Sequence, residues 1–256
     1  MENPSAPVVE TRQGALIGST EGDTHVWCGI PYAAPPVGPW RWRSPRPPAR
    51  WDGVRPATAF SASSWQSSES CQELGGGDPG QFSEDCLYLN VWSPVARADP
   101  LPVMVWLHGG GFTLGAGGLP PYNGRALAKR GTVVVTINYR LGHLGFFAHP
   151  ALEGEEERVV HNFALLDQIQ ALEWVRDNIA AFGGDPENIT VFGESAGARS
   201  VLSLMASPLA GGLFHKAIVQ SGYTLPDTPR EQAMHKGEVI AAHFGLQNAT
   251  AEQLRA

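Results

Sequence analysis

The stretch Asn188-Ile189-Thr190-Val191-Phe192-Gly193-Glu194-Ser195-Ala196-Gly197 decides the fold, because it places one reactive side chain between two kinds of backbone. Its first five residues are mostly β-branched or aromatic and follow Gly183-Gly184-Asp185-Pro186, a pattern that predicts a short buried strand. Beyond it, Ala198 to Ala206, with Val201, Leu202, Leu204 and Met205, predicts a helix ended near Pro208. Between them lies G-x-S-x-G, in which a serine occupies a sharp turn from strand to helix and the glycines let the two elements approach. A serine hydroxyl is a weak nucleophile until a base takes its proton and a turn lifts its oxygen clear of the backbone. Ser195 is the candidate nucleophile. With 30 glycines in 256 residues the pattern alone says little, and a structural serine in a tight turn would also satisfy it. The order strand, turn, helix favours the nucleophile.

A second motif lies upstream. The apolar run Val103-Met104-Val105-Trp106-Leu107 reads as a buried strand and is followed at once by His108-Gly109-Gly110-Gly111-Phe112. Successive glycines let backbone N–H groups face a cleft with no side chains in the way. Acyl transfer needs such donors, because the substrate carbonyl oxygen becomes an oxyanion, and losing one donor costs on the order of 3 kcal/mol of barrier. A flexible glycine hinge is the alternative, but an HGGG loop is the expected partner of the serine turn. His108 reads as a residue that braces this loop rather than as a base.

A hydrophobic content of 43% over 256 residues supplies the core of one large α/β domain or two small ones. The net charge of −7, with no basic stripe, argues against nucleic-acid or anionic-membrane partners. Met1 to Glu10 has no apolar core flanked by basic residues, and no run of eighteen apolar residues occurs, so a soluble, cytoplasmic chain is expected. Cys28, Cys71 and Cys86 are too few for a disulfide scaffold and lack C-x-x-C spacing. A bridge between Cys71 and Cys86 would close a short loop and stabilise by roughly 3 kcal/mol. A cytosolic chain would keep both reduced, so the two states stay open, while Cys28 reads as a buried, inert thiol. G-x-x-x-x-G-K and H-E-x-x-H are missing from the sequence, and no metal or organic cofactor is implied.

Along the chain, Val8 to Ile17 predicts a strand pair bent at Gly14, and Val26 to Ile30 another strand. Pro31 to Trp51 is too rich in proline for helix or central strand and reads as an irregular wrap. Trp40, Trp42 and Trp51 favour its packing into the core over a proline-rich ligand for other domains. Ser61 to Ser83 reads as a surface loop, Leu87 to Trp92 as a strand, Ser93-Pro94 as a turn, Asn123 to Arg130 as a short helix and Thr132 to Asn138 as a buried strand. Ala151 to Arg158, with Glu153, Glu155, Glu156 and Glu157, reads as a solvated charge run rather than a metal site. Phe163 to Phe182 carries apolar residues at helical spacing, with Asp167 near its start. Ala217-Ile218-Val219 predicts one more strand, and Arg230 to His243 a final helix. No internal repeat is present.

Together these residues resemble the type-B carboxylesterases, the α/β-hydrolase family of cholinesterases and bacterial esterases that includes p-nitrobenzyl esterases. The resemblance spans nearly the whole chain. It rests on Gly29-Ile30-Pro31-Tyr32-Ala33, Arg41-Trp42-Arg43, Ser83 to Val91, His108 to Phe112, Asn138-Tyr139-Arg140, Asp167-Gln168, Ala180 to Pro186 and Gly193 to Gly197. It implies the α/β-hydrolase fold, a mostly parallel central sheet with helices on both faces. It further implies Ser195 as the nucleophile of an acyl-enzyme, and the backbone N–H groups of Gly110, Gly111 and Ala196 as an oxyanion hole. A Cys71–Cys86 disulfide in members that oxidise it, and ion pairs of Arg41 with Glu84 and Arg140 with Asp167, follow from the same resemblance. The implied substrate is a small-molecule carboxylic ester. Between Cys71 and Cys86 stands Phe82 but no Trp, so choline esters are not the expected preference.

The family's members are roughly twice this length, and their triad runs Ser, acid, His. Residues 1–256 are therefore expected to be the N-terminal portion of a single domain, truncated before the last strands, with the triad acid and histidine beyond Ala256 and little activity alone. His215, His235 or His243 with Asp227, Glu231 or Glu238 would be substitutes within the chain. A second polypeptide supplying the C-terminal half, as in a split esterase, is another reading. A non-catalytic, cholinesterase-like binding protein is a third, although such proteins lose the serine that this chain keeps.

Overall fold

The buried runs expected around residues 103, 133 and 189 are the middle of one seven-stranded sheet. The structure, a computed structural model, describes residues 6–96, 100–154, 161–222 and 228–256. Its strands are β1 (Val8–Glu10), β2 (Ala15–Ile17), β3 (Ser19–Glu21), β4 (Thr24–Pro31), β5 (Val54–Pro56), β6 (Tyr88–Pro94), β7 (Leu101–Leu107), β8 (Val133–Ile137), β9 (Gly184–Glu194) and β10 (Lys216–Gln220). Its helices are α1 (Ser68–Glu73), α2 (Arg125–Ala128), α3 (Gly142–Phe146), α4 (Phe163–Asn178), α5 (Ala196–Ala206), α6 (Arg230–His243) and α7 (Ala251–Arg255).

The large sheet has the order β10-β9-β7-β8-β6-β4-β3. It is mixed, parallel from β10 through β9 and β7 to β8, antiparallel from β8 through β6 and β4 to β3. Every residue of β8 is buried, as a strand covered on both faces requires. Alternation along it divides the core: Val133, Val135 and Ile137 join the main cluster with Leu172 and Val175 of α4 and Val201 of α5. Val134 points the other way, into a cluster with Val26, Cys28, Trp92 and Ala128 of α2. Helices thus cover both faces. The edge strand β10 differs, with Ile218 and Val219 43% and 39% exposed.

A small sheet of β1, β2 and β5 sits to one side, its hairpin bent at Gly14 as expected. A Cβ there would lie 2.6 Å from the Trp51 carbonyl, and the Trp51 indole N–H bonds the Ala15 carbonyl at 2.9 Å.

Several expectations change. Ser61 to Ser83 is no plain loop, since Ser67 caps α1 by accepting the Ser70 N–H, and Ser63 and Ser64 are buried. Ser93 and Pro94 continue β6 instead of turning; β8 pairs with β6 only as far as Trp92, so the missing N–H of Pro94 breaks no bond there. Trp40, Trp42 and Trp51 are half-buried, because arginines lie against them, Arg46 3.1 Å from the Trp40 ring centre and Arg55 5.4 Å from that of Trp51. β9 begins at Gly184, four residues early, and a register shift opposite Leu101 to Val103 absorbs Pro186. Helix α3 was not expected, and α7 rather than α6 ends the chain. Of the acidic run, Glu153 pairs with Arg230 of α6; residues 155–158 lie outside the described residues. Among the described residues no helix is long and apolar enough to cross a membrane.

Both ion pairs are present: Arg41 meets Glu84 at 2.6 Å, and Arg140 meets Asp167 at 2.6 Å.

Candidate active site

Ser195 stands alone between the last residue of β9 and the first of α5, at φ +54° and ψ −117°. A non-glycine residue is rarely found there, and such a backbone stores roughly 1–3 kcal/mol of strain. Neighbours hold it: the Ser195 N–H bonds the Gln220 carbonyl of β10 at 3.0 Å, and its own carbonyl takes the Arg199 N–H at 2.9 Å. The flanking glycines are needed for space. A Cβ on Gly197 would lie 2.0 Å from the Leu107 carbonyl oxygen, and one on Gly193 2.5 Å from the Gly197 carbonyl carbon.

The glycine loop after β7 lies against this turn. A Cβ on Gly109 would come within 2.8 Å of the Glu194 carboxylate and 3.3 Å of the Ser195 Cβ. The next three residues are all left-handed, Gly110 at φ +99°, Gly111 at +62° and Phe112 at +62°. The reversal is closed by the Thr113 and Leu114 N–H groups, both 3.0 Å from the Gly110 carbonyl. Phe112, strained in that region, packs edge-on against Phe146 of α3 at 5.1 Å. Gly111 is exposed and Gly110 and Ser195 half-buried, so this corner of the molecule is open to solvent. Ala196 is the first residue of α5, where a backbone N–H has no partner within its own helix and the helix dipole is positive.

His108 is wholly buried, and burial pushes its imidazole down to about 4, against a smaller upward pull from the Gly109 carbonyl. It is neutral at any ordinary pH. Two residues hold the same loop, Gln66, which no motif marks, and Tyr139, which the resemblance includes without a role in the site. Gln66 clasps Gly115 from both sides, its Nε2 2.9 Å from the Gly115 carbonyl and its Oε1 2.7 Å from the Gly115 N–H. Tyr139 donates its hydroxyl to the His108 carbonyl at 2.6 Å. Neither has a local signal in sequence, since each partner lies thirty or more residues away. Beside Phe112 a cavity of about 550 Å³ opens, walled by Phe146, Phe147 and Ile240.

The alternative bases within the chain, set against one beyond Ala256, are elsewhere. The Nδ1 of His215 accepts the Ile189 N–H at 3.2 Å, at the middle of β9 and about 20 Å along the strand from Ser195. His235 is exposed on α6 beside Glu238, and His243 abuts Phe244. Asp227 lies outside the described residues. Among the described residues no histidine or carboxylate is hydrogen-bonded to Ser195.

All three cysteines are free thiols, so of the two states left open for Cys71 and Cys86 the structure holds the reduced one. The two bury in different places, Cys71 with Ala116 and Leu119, Cys86 in the main core. Phe82 faces Trp65 at 5.9 Å, an aromatic pair whose tryptophan lies just outside the interval between the cysteines.

A mixed sheet whose parallel strands carry a strained serine at the head of a helix defines an α/β-hydrolase. Comparison with known proteins narrows this: the model of the carboxylesterase family matches residues 5–256, and the chain belongs to that family. It is 48% identical over 248 residues to the para-nitrobenzyl esterase of Bacillus subtilis, covering 96% of this chain and 50% of that protein. It is 51% identical over 252 residues to the fumonisin B1 esterase of Sphingopyxis macrogoltabida, covering 96% of this chain and 46% of that one. Among solved structures, a para-nitrobenzyl esterase superposes with a TM-score of 0.90 at 46% identity, covering 98% of this chain and 51% of its own. A carboxylesterase of Geobacillus stearothermophilus gives 0.88 at 47% identity, covering 97% and 50%. The chain therefore spans about half the length of the relatives it matches. The family and these relatives are carboxylic ester hydrolases.

Proposed function

We propose that this chain carries the nucleophile and oxyanion donors of a serine carboxylesterase. One observation carries the reading: Ser195 is held in a strained turn at the N-terminus of α5, directly against the glycines that follow β7. In this reading the Ser195 hydroxyl attacks the carbonyl carbon of an ester as its proton passes to a base. The carbonyl oxygen becomes an oxyanion and is received by the N–H groups of Gly110, Gly111 and Ala196. Collapse of the tetrahedral intermediate expels the alcohol, and water then releases the acid from the serine. The base and its acid partner are assigned to the portion of the longer relatives that this chain does not span. Without them turnover should be several orders of magnitude below that of a complete triad.

A fluorophosphonate tests the reading. On the chain continued through the polypeptide encoded downstream, which would supply the base, a single covalent adduct on Ser195, lost in Ser195→Ala, is expected by mass spectrometry of the tryptic peptide. An adduct on another residue, or none on that longer form, counts against it.

The exposed apolar residues of β10 favour a companion reading, in which further polypeptide covers this edge and completes the triad. Adding the polypeptide encoded downstream and assaying a short-chain aryl ester separates the cases. Hydrolysis seen only in the mixture, and abolished by Ser195→Ala, supports it; no gain on mixing removes it.

A further inference from the structure

We infer that His108 is a positioning residue that sets the direction of the Gly110 N–H through a single peptide plane. What that N–H does rests on the esterase reading; how it is aimed does not.

The His108 Nδ1 lies 2.9 Å from the Gly109 carbonyl oxygen. A carbonyl only accepts, so the proton sits on Nδ1 and the imidazole donates. Nε2 is then a bare acceptor, and among the described residues it is buried without a partner. Among those residues the ring makes one hydrogen bond, and that bond is to the peptide joining Gly109 and Gly110. The described residues contain no cis peptide, so in this unit the carbonyl and the N–H point in opposite directions. A carbonyl drawn down onto a wholly buried ring leaves the Gly110 N–H directed up, away from the core and toward the open corner beside Ser195.

This aim needs fixing. A peptide between two glycines meets no Cβ as it rotates, so a flip is cheap, and the flipped unit would present a carbonyl oxygen where an oxyanion is to be received. The residue whose ring prevents the flip is held twice by Tyr139, once at the ring and once at its backbone. The two rings stack at 4.2 Å and 11°, and the Tyr139 hydroxyl bonds the His108 carbonyl at 2.6 Å. Gly115 closes the arrangement from above. A Cβ there would lie 2.3 Å from the His108 Nδ1 and 2.9 Å from the Gly109 carbonyl, so the chain passes over the hydrogen bond only as glycine. Gln66 keeps Gly115 in that place.

Two substitutions separate aiming from packing. His108→Asn keeps an N–H donor where Nδ1 stands, whereas His108→Gln moves the donor to the place of Nε2. With a fluorophosphonate on the chain continued through the polypeptide encoded downstream, the limiting labelling rate of His108→Gln should fall about 100-fold, the usual effect of one lost oxyanion donor, with probe affinity unchanged. His108→Asn should regain most of it. Equal labelling rates for wild type and a folded His108→Gln would overturn the inference. Independently of any labelling, the imidazole nitrogen shifts of the wild type should show the proton on Nδ1; a proton on Nε2 overturns the inference as well. Failure of the wild-type longer form to label sinks the esterase reading instead, and the tautomer alone then decides the matter.

Discussion

Arg140 and Asp167 form a two-point ion pair sealed from water. Nε reaches Oδ2 at 2.8 Å and Nη2 reaches Oδ1 at 2.6 Å, with the side chains 3% and 0% exposed. The pair joins the chain just after β8 to α4, and Arg140 also bonds the Arg43 carbonyl in the proline-rich wrap at 3.0 Å. Burying both charges is costly, but removing one strands the other. Asp167→Asn should therefore lower unfolding free energy in urea by about 3–5 kcal/mol. The double change Arg140→Met with Asp167→Leu should recover part of that loss, because no lone charge remains. A double variant less stable than Asp167→Asn would show that the backbone bonds, rather than the charges, dominate.

The thiols give a second expectation. Burial pushes Cys28 and Cys86 up to about 12 and raises Cys71 by the same cause. At about pH 8 a thiol at 12 is thiolate to on the order of 1 part in 10⁴, and the thiolate is the reactive form. The folded chain should react with a disulfide reagent slowly at all three cysteines, and the denatured chain rapidly at all three. Rapid reaction of a single thiol in denaturant without reductant would instead report a Cys71–Cys86 bridge.

Much of the molecule was legible because pattern and environment agree. The runs that became β7, β8 and α4 are apolar where they are covered, and G-x-S-x-G and HGGG lie where close approach excludes a Cβ. The short helices were harder. In α7, Thr250 and Gln253 form a capping box that the sequence displays, yet five residues offer no apolar period to confirm it. In α1 the signal was Ser67 before Glu69, lost among other serines. The long-range partners of the site, Gln66 with Gly115 and Tyr139 with His108, leave no local trace because they are set by tertiary packing.

A pH dependence follows from His108. Its ordinary value of 6.5 falls to about 4 in the folded chain. Between these values the unfolded chain binds a proton that the folded one does not, so acid favours unfolding. The contribution is fully present above 6.5, declines by about 1.4 kcal/mol per pH unit as pH falls, and is gone below about 4. Burial lowers His149 and His161 in the same direction, which adds to the slope. Urea unfolding between about pH 7 and about pH 5 should show a steeper loss for wild type than for His108→Asn. Parallel curves would mean that His108 titrates at its unfolded value.

The backbone of Ser195 supplies the last expectation. At φ +54° and ψ −117° it lies where only glycine rests easily, and the bonds to Gln220 and Arg199 hold it there. Ser195→Ala removes the hydroxyl but keeps the Cβ, and with it the strain. Ser195→Gly removes both, at a cost in unfolded-chain entropy of roughly 0.5–1 kcal/mol. Relief of 1–3 kcal/mol exceeds that cost, so the glycine variant should be more stable than the alanine variant by about 1 kcal/mol in urea unfolding. Neither should take the fluorophosphonate at this position. If alanine proves more stable than glycine by that entropy cost of roughly 0.5–1 kcal/mol, the turn holds no strain, and the geometry ceases to be evidence that the serine was placed there to react. If glycine is the more stable, the native residue is one that lowers stability at its own position, which is the expected trade where a side chain is kept for chemistry.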